Sequence, residues 1–339
     1  MLRCVPAVSP YPAIPPAEDV DEFGFIARLL APLAADSGAY ALTDDAATLS
    51  IDATHELVLT KDLMVEGVHF LATEDPGVMA RRLLRVNLSD LAAMGAAPRG
   101  CLLGLALPPD RREEGFLSTF TEGLRTDLAR YGIALLGGDT TASPHLVLSL
   151  TALGTVPRGG AVRRRGARPG DLVCVTGTIG DAAFGLAVAL GKLPGLDPLD
   201  RAYLLERYRL PRPRLAFGVL ARDRLRAAAD ISDGLVADCA NVAAASGVAA
   251  VLRAESVPLS GPAYGLVGQE GFWNTVLAGG DDHELVFAVD PEDLVAVGRV
   301  AEATGAAVTV VGRFEAGSGV TVRDGQGEII PTRGGFTHF

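Results

Sequence analysis

Absences bound this chain before any motif does. Nowhere do about 18 apolar residues run together, so no segment is expected to cross a membrane as a helix. Basic residues are outnumbered, 30 Lys and Arg against 41 Asp and Glu, for a net charge of −11. That balance excludes a surface built for nucleic acid or another polyanion. It does not exclude small phosphates, which acidic sites reach through metal ions. Four cysteines occur, Cys4, Cys101, Cys174 and Cys239, far apart and without metal-type spacing; reduced thiols in a cytoplasmic protein are expected. No second histidine lies at zinc spacing from His69, which argues against a zinc site. Gly191-Lys192 is followed by Leu193 rather than Ser or Thr, which excludes a P-loop ATPase. The Asp-rich segments lack the spacing of an EF-hand. Residues 1–20 hold five prolines and no apolar signal core, and read as a disordered extension outside the fold.

What is present is a globular composition, 49% hydrophobic and 21% charged over 339 residues. That length exceeds what one core usually serves, so two domains are expected. Residues 157–170, rich in Pro, Gly and Arg, mark the boundary. It separates an N-terminal domain over residues 21–157 from a C-terminal domain over 158–339. Apolar spacing predicts a short amphipathic helix over residues 23–34 and helices over 79–90 and 111–131. Alternation at Leu49 and Ile51, and again at Leu57 to Leu59, predicts two strands, the second ending at Thr60. Further strands are expected at 101–107, 133–136 and 145–154, and from residue 171 a buried strand turns through glycines into a helix.

The chemistry-bearing pattern is aspartate beside glycine or other small residues. Asp90 lies in Asn87-Leu88-Ser89-Asp90-Leu91-Ala92-Ala93-Met94-Gly95, where Asn87 and Ser89 read as a helix start. The helix dipole favours a carboxylate there, and a bound cation would favour it more; taken alone, Asp90 is equally a capping residue. Asp44 and Asp45 taken alone are turn formers. Thr60, Asp62, Glu66 and His69 gather polar groups in one short segment, although His69 by itself fits a packed loop histidine. Gly137-Gly138-Asp139-Thr140-Thr141 combines close backbone approach with oxygen donors. Arg163, Arg164 and Arg165 read either as a solvated turn or as a contact to nucleotide phosphate. Thr176-Gly177-Thr178-Ile179-Gly180-Asp181 leads into a helix whose first amides can cradle a phosphate. Asp230-Ile231-Ser232-Asp233-Gly234 echoes the earlier Ser-Asp helix start, and Gly279-Gly280-Asp281-Asp282-His283-Glu284 repeats the Gly-Gly-Asp device. Carboxylates gathered without partners would raise one another's pKa. Magnesium ions, which take one or two carboxylates and complete their shells with water and phosphate oxygens, resolve the conflict. The pattern points to phosphoryl chemistry on a nucleotide.

In this order, over residues 21–339, these segments resemble the thiamine-monophosphate kinase family. Its superfamily includes aminoimidazole ribonucleotide synthetase, selenophosphate synthetase and the hydrogenase maturation factor HypE. The resemblance implies a two-domain α/β (α+β) fold of the aminoimidazole ribonucleotide synthetase-like type, with N-terminal halves pairing in a homodimer. It implies ATP- and magnesium-dependent transfer of the γ-phosphoryl group onto thiamine monophosphate, giving thiamine diphosphate and ADP. By motif position it implies Asp45, Thr60, Asp62, Asp90, Asp139, Asp230 and Asp233 as magnesium ligands, with Asp90, Asp139 and Asp233 serving the chemistry. Gly138, Asp139, Arg164 and Ser232 would meet ATP; His69, Asp281 and Phe336 would meet thiamine monophosphate. Three positions depart from the family pattern. Lys61 stands where a metal-ligating Thr is frequent, so that one ion is lost or replaced by an ammonium; Thr43 replaces a Gly; and Asp281 replaces a more common Glu. Two alternatives stay open, an ATP-using superfamily member with another acceptor and a non-catalytic nucleotide- or metal-binding relative.

Overall fold

The computed structural model describes residues 22–331, so the proline-rich residues 1–20, Cys4 and Phe336 lie outside the described residues. The chain divides into two compact units. Met1–Ala53, Leu59–Asn87 and Pro98–Gly154 form the first; Thr54–Val58, Leu88–Ala97 and Thr155–Phe339 form the second.

In the first unit α1 (Glu22–Phe25) passes into a π-helical turn, Ile26–Leu30, and a 3-10 turn, Ala31–Leu33. The expected helix over residues 23–34 is thus helical as far as Leu33 but not one α-helix. Pro32, which has no N–H for the i−4 ladder, falls where an α-helix would need one. Four strands lie in the order β1-β4-β2-β3: β1 (His55–Val65), β2 (Ala97–Leu107), β3 (Ala134–Ala142) and β4 (Val147–Pro157). Strands β2 and β3 run parallel, with Leu103 opposite Gly138 and Gly104 opposite Asp139. Period-two burial puts Leu103, Leu105 and Leu107 of β2 and Leu148, Leu150 and Ala152 of β4 in the core. Helices α2 (Pro76–Ala93) and α3 (Glu114–Tyr131) add Met79, Leu83, Leu84, Phe120 and Leu124. The two helices meet at backbone distance, since a Cβ on Gly123 would collide with Gly77. They are joined by a bidentate ion pair in which Arg85 donates to the buried Asp127 at 2.5 and 3.0 Å.

Four expectations are corrected here. Residues 47–52 form no strand, because Leu49 turns into a cavity described below and only two residues alternate. The strand carrying Thr60 continues to Val65, with Leu59, Lys61 and Leu63 exposed in alternation and Met64 buried. Gly137, Gly138 and Asp139 lie inside β3, not after it. Asn87 and Ser89 do not start a helix: they sit in the last two turns of α2, where Leu83, Leu84, Leu88 and Leu91 sustain the helical period and Asn87 donates back to the Leu83 carbonyl at 2.9 Å.

The second unit holds a six-stranded sheet in the order β10-β7-β9-β5-β8-β6. Its strands are β5 (Leu172–Thr176), β6 (Leu225–Asp230), β7 (Ala249–Arg253), β8 (Leu285–Val289), β9 (Val308–Glu315) and β10 (Gly319–Arg323). Strands β10 and β7 are parallel, and the other pairs antiparallel. Helices α4 (Asp181–Ala189), α5 (Pro198–Arg209), α6 (Leu215–Ala221), α7 (Leu235–Ser246), α8 (Gly261–Tyr264), α9 (Phe272–Ala278) and α10 (Leu294–Thr304) complete it. Every residue of β5 and β8 is buried, in keeping with the apolar runs at 172–175 and 285–289. The core gathers Val173, Val175, Phe184, Leu204, Leu235, Val276, Val286 and Phe314. Among the described residues no helix is long and apolar enough to cross a membrane.

Candidate active site

In the first unit a cavity of about 580 Å³ opens on the face of the sheet that carries Leu102, Gly104, Ser149 and Thr151. Asp44, Asp45, Lys61, Gly137, Gly138, Asp139 and Thr140 line it as well. The chain reaches it through an unusual turn in which Tyr40, Ala41 and Leu42 all have positive φ, 48°, 52° and 61°. L-residues seldom take that conformation in succession, and here it delivers the Asp44-Asp45 pair to the rim. Gly138 has no alternative, since a Cβ there would strike the Leu103 carbonyl of the paired strand. The Lys61 ammonium donates to the Ser149 hydroxyl on β4. Thr60 and Asp62 alternate with Lys61 along β1 and so point to the opposite side of the pleat. The His69 Nδ1 accepts the Val65 N–H at 3.0 Å, so the ring proton sits on Nε2; the half-buried ring is held in the turn after β1.

In the second unit three loops are interlocked at one end of the sheet. Asp230 ends β6 and Ser232, Asp233 and Gly234 follow it into α7. The Asp238 carboxylate, one turn into α7, accepts the N–H groups of Ser232 and Asp233 at 3.0 Å each. Asp281 and His283 donate their N–H groups to the carbonyls of Ser232 and Ile231, both at 2.8 Å. These two residues have φ of 63° and 49°, strain that persists only where surrounding contacts fix it. The His283 Nδ1 stands 3.3 Å from an Asp230 oxygen. Asp282 turns the other way and accepts the Gly180 and Ala182 N–H groups at 2.7 and 3.1 Å, tying this loop to the start of α4. Burial pushes Asp238 and Asp282 up to about 7. Beneath them Glu284, with no exposed surface, accepts from Thr176 at 2.7 Å, Arg207 at 2.9 Å and Arg214 at 2.6 Å.

The structure therefore sorts the sequence-derived residues. Asp45, Gly138 and Asp139 share the first cavity; Asp230, Ser232, Asp233 and Asp281 share the second unit's loops. Arg164 lies exposed in a loop whose backbone is pinned to Ser246. Asp90 lies near the C-terminal end of α2, half-buried, where the helix dipole disfavours a carboxylate instead of favouring it. The echo between the two Ser-Asp pairs is not structural, since one ends a helix and the other precedes one. Asp238, Asp282, Glu284, Arg207 and Arg214 were not foreseen as site residues. Acidic residues beside glycines flagged the region, but no local signal separates those that brace loops from those that face a ligand. Among the described residues no three of His, Cys, Asp and Glu stand close enough to cage a metal ion. The donor chemistry fits magnesium nonetheless, because hard carboxylate oxygens in ones and twos are what that ion takes from protein when phosphate supplies the rest.

The family models for AIR synthase related proteins match residues 43–156 with the N-terminal domain and residues 168–325 with the C-terminal domain. The thiamine-monophosphate kinase of Caulobacter vibrioides is 44% identical over 333 residues, 96% of this chain and 93% of that protein. The chain belongs to the thiamine-monophosphate kinase family. The Escherichia coli K12 member of that family is 38% identical over 87% of this chain and 90% of its own length. Among solved structures, the thiamine-monophosphate kinase from Stenotrophomonas maltophilia K279a superposes with a TM-score of 0.78 at 40% identity, covering 85% of this chain and 91% of its own. AaThiL complexed with AMPPCP and TMP superposes with a TM-score of 0.75 at 31% identity, covering 94% and 97%. Escherichia coli HypE, at 19% identity and a TM-score of 0.74, shares the fold alone.

Proposed function

We propose that this protein transfers the γ-phosphoryl group of ATP to thiamine monophosphate, giving thiamine diphosphate and ADP. One observation carries the reading: the likeness to thiamine-monophosphate kinases extends over 96% of the chain, and a relative covering 94% of it was solved with AMPPCP and TMP. We assign Asp45, Thr60, Asp62, Asp90, Asp139, Asp230 and Asp233 to magnesium, Gly138, Asp139, Arg164 and Ser232 to ATP, and His69, Asp281 and Phe336 to thiamine monophosphate. Residues 21–157 would supply the metal- and nucleotide-binding half and residues 158–339 the half that completes the site. When bound, magnesium supplies charge neutralisation on the phosphates.

The rest of the chemistry falls to the chain. A phosphate monoester has its second pKa near 6, so the acceptor oxygen is already ionised at neutral pH and needs no general base. Catalysis then consists of holding two anions in line and countering their charge. The Gly137-Gly138 backbone admits a close ligand, and the braced 230–234 and 279–284 loops fix the positions of Asp230, Asp233 and Asp281. Incubation with ATP, magnesium and thiamine monophosphate, followed by chromatographic separation of thiamine phosphates, should give one thiamine diphosphate per ADP. Folded protein yielding none would overturn the proposal, and consumption of ATP only with another acceptor would assign it elsewhere in the superfamily.

We infer also that two copies pair through their N-terminal halves. Leu59 and Leu63 lie on one side of β1, 61% and 49% exposed, with Val68 nearby in sequence at 60%, and exposed apolar groups in series mark an interface. Sedimentation at the mass of a single chain would refute the pairing. The buried, free Cys101, Cys174 and Cys239 support a reducing, cytoplasmic location.

A further inference from the structure

The first-unit cavity contains one residue whose charge runs against its neighbours. Asp44, Asp45 and Asp139 line it with carboxylates, and among the described residues that line it Lys61 is the only basic one. Its partner is the neutral Ser149 hydroxyl on the adjacent strand, not one of those carboxylates. An ammonium has three donors; a single hydroxyl anchors it in place and leaves its charge uncompensated by that contact. A lysine held this way is a point charge suited to a phosphate oxygen.

Resting on the nucleotide reading above, we propose that Lys61 is a resident cation of the phosphate site, contacting the triphosphate directly and taking the place of one divalent ion. The two cations exclude each other for a plain reason. Carboxylates attract metal ions, but a fixed positive charge in the same cavity repels one and supplies part of the neutralisation that a metal would bring. The consequence is a site that loads with fewer ions than its carboxylates alone would recruit.

The test counts ions, not turnover. Tightly bound Mn²⁺ per chain is measured by electron paramagnetic resonance with a methylene-bridged ATP analogue at saturation. Lys61 is exposed on β1, so substitutions there leave the core intact. Lys61→Thr, which removes the charge and adds an oxygen donor, is expected to bind one more Mn²⁺ than the wild type. Lys61→Arg is expected to keep the wild-type count, and Lys61→Met to bind the analogue at least tenfold more weakly. Equal Mn²⁺ counts in wild type and Lys61→Thr, or wild-type affinity for the analogue in Lys61→Met, would overturn the proposal. A wild type that makes thiamine diphosphate yet shows equal counts fails this inference alone. A wild type that neither binds the analogue nor forms product fails the nucleotide reading itself.

Discussion

Removing the charge of Glu284 should unfold the second unit far more readily than any surface change. Its carboxylate is completely buried and accepts one hydroxyl and three guanidinium N–H groups, from Thr176, Arg207 and Arg214. Glu284→Gln keeps the shape but substitutes an NH₂ that must face donors. Arg214, 19% exposed, can turn part of its guanidinium to water. Arg207, 3% exposed, cannot, and it retains Asp181 only at 3.7 Å. Leaving such a cation without its buried partner costs about 3–5 kcal/mol, a large fraction of the roughly 5–15 kcal/mol by which domains are stable. Trp273, the only tryptophan in the chain, sits on α9 in edge contact with Phe272, so its fluorescence follows the second unit. With a urea slope of about 2 kcal/mol per molar, the midpoint should fall by roughly 1.5–2.5 M. Adding Arg207→Met to Glu284→Gln removes the stranded cation and should recover part of the loss. A midpoint shift below about 0.3 M, or strict additivity of the two substitutions, would show that the buried cluster is not energetically coupled.

Two further outcomes follow from the same geometry. Burial lifts Asp282 from an ordinary 3.8 to about 7, so between those values the folded chain holds a proton that the unfolded chain has lost. Its stabilising contribution is complete below about pH 4 and declines as pH rises toward 7, by up to about 1.4 kcal/mol per unit; urea titrations at pH 5, 6 and 7 should show the decline, and Asp282→Asn should reduce its slope, the remainder coming from Asp238, which burial also lifts to about 7. A wild-type profile that rises over that interval, or an unchanged slope in the variant, would contradict the assignment. Burial likewise pushes the thiols of Cys101, Cys174 and Cys239 up to about 12, so about one in ten thousand is ionised at pH 8. Iodoacetamide should leave all three unmodified in the native protein and label them in denaturing urea, as peptide mass spectrometry would report; native labelling of Cys174 would count against it.

What local pattern could reveal, and what it could not, follows from the distances over which each interaction acts. Strand β5 and its turn into α4 were legible because unbroken apolar residues followed by Gly177 and Gly180 encode a buried strand and a tight turn within ten positions. The end of α2 was misread because Asn87 and Ser89 are strong capping residues, whereas in place Asn87 is satisfied by the carbonyl four residues earlier and the leucine period carries on. The bracing carboxylates were illegible for a different reason: Arg207 and Arg214 lie 77 and 70 residues from Glu284, and no periodicity links them. The excess of acid over base therefore does not translate directly into ligand sites. Asp127, Asp238, Asp282 and Glu284 spend their oxygens on guanidinium or backbone N–H groups and fix helices and loops. Asp44, Asp45 and Asp139 instead line a cavity in which the cation provided by the chain is bonded to a neutral hydroxyl. Substituting carboxylates of the first kind should cost stability; on the proposed reading, substituting those of the second should cost affinity for cations. Urea midpoints and Mn²⁺ counts on the same variants would separate the two kinds where sequence pattern alone merges them.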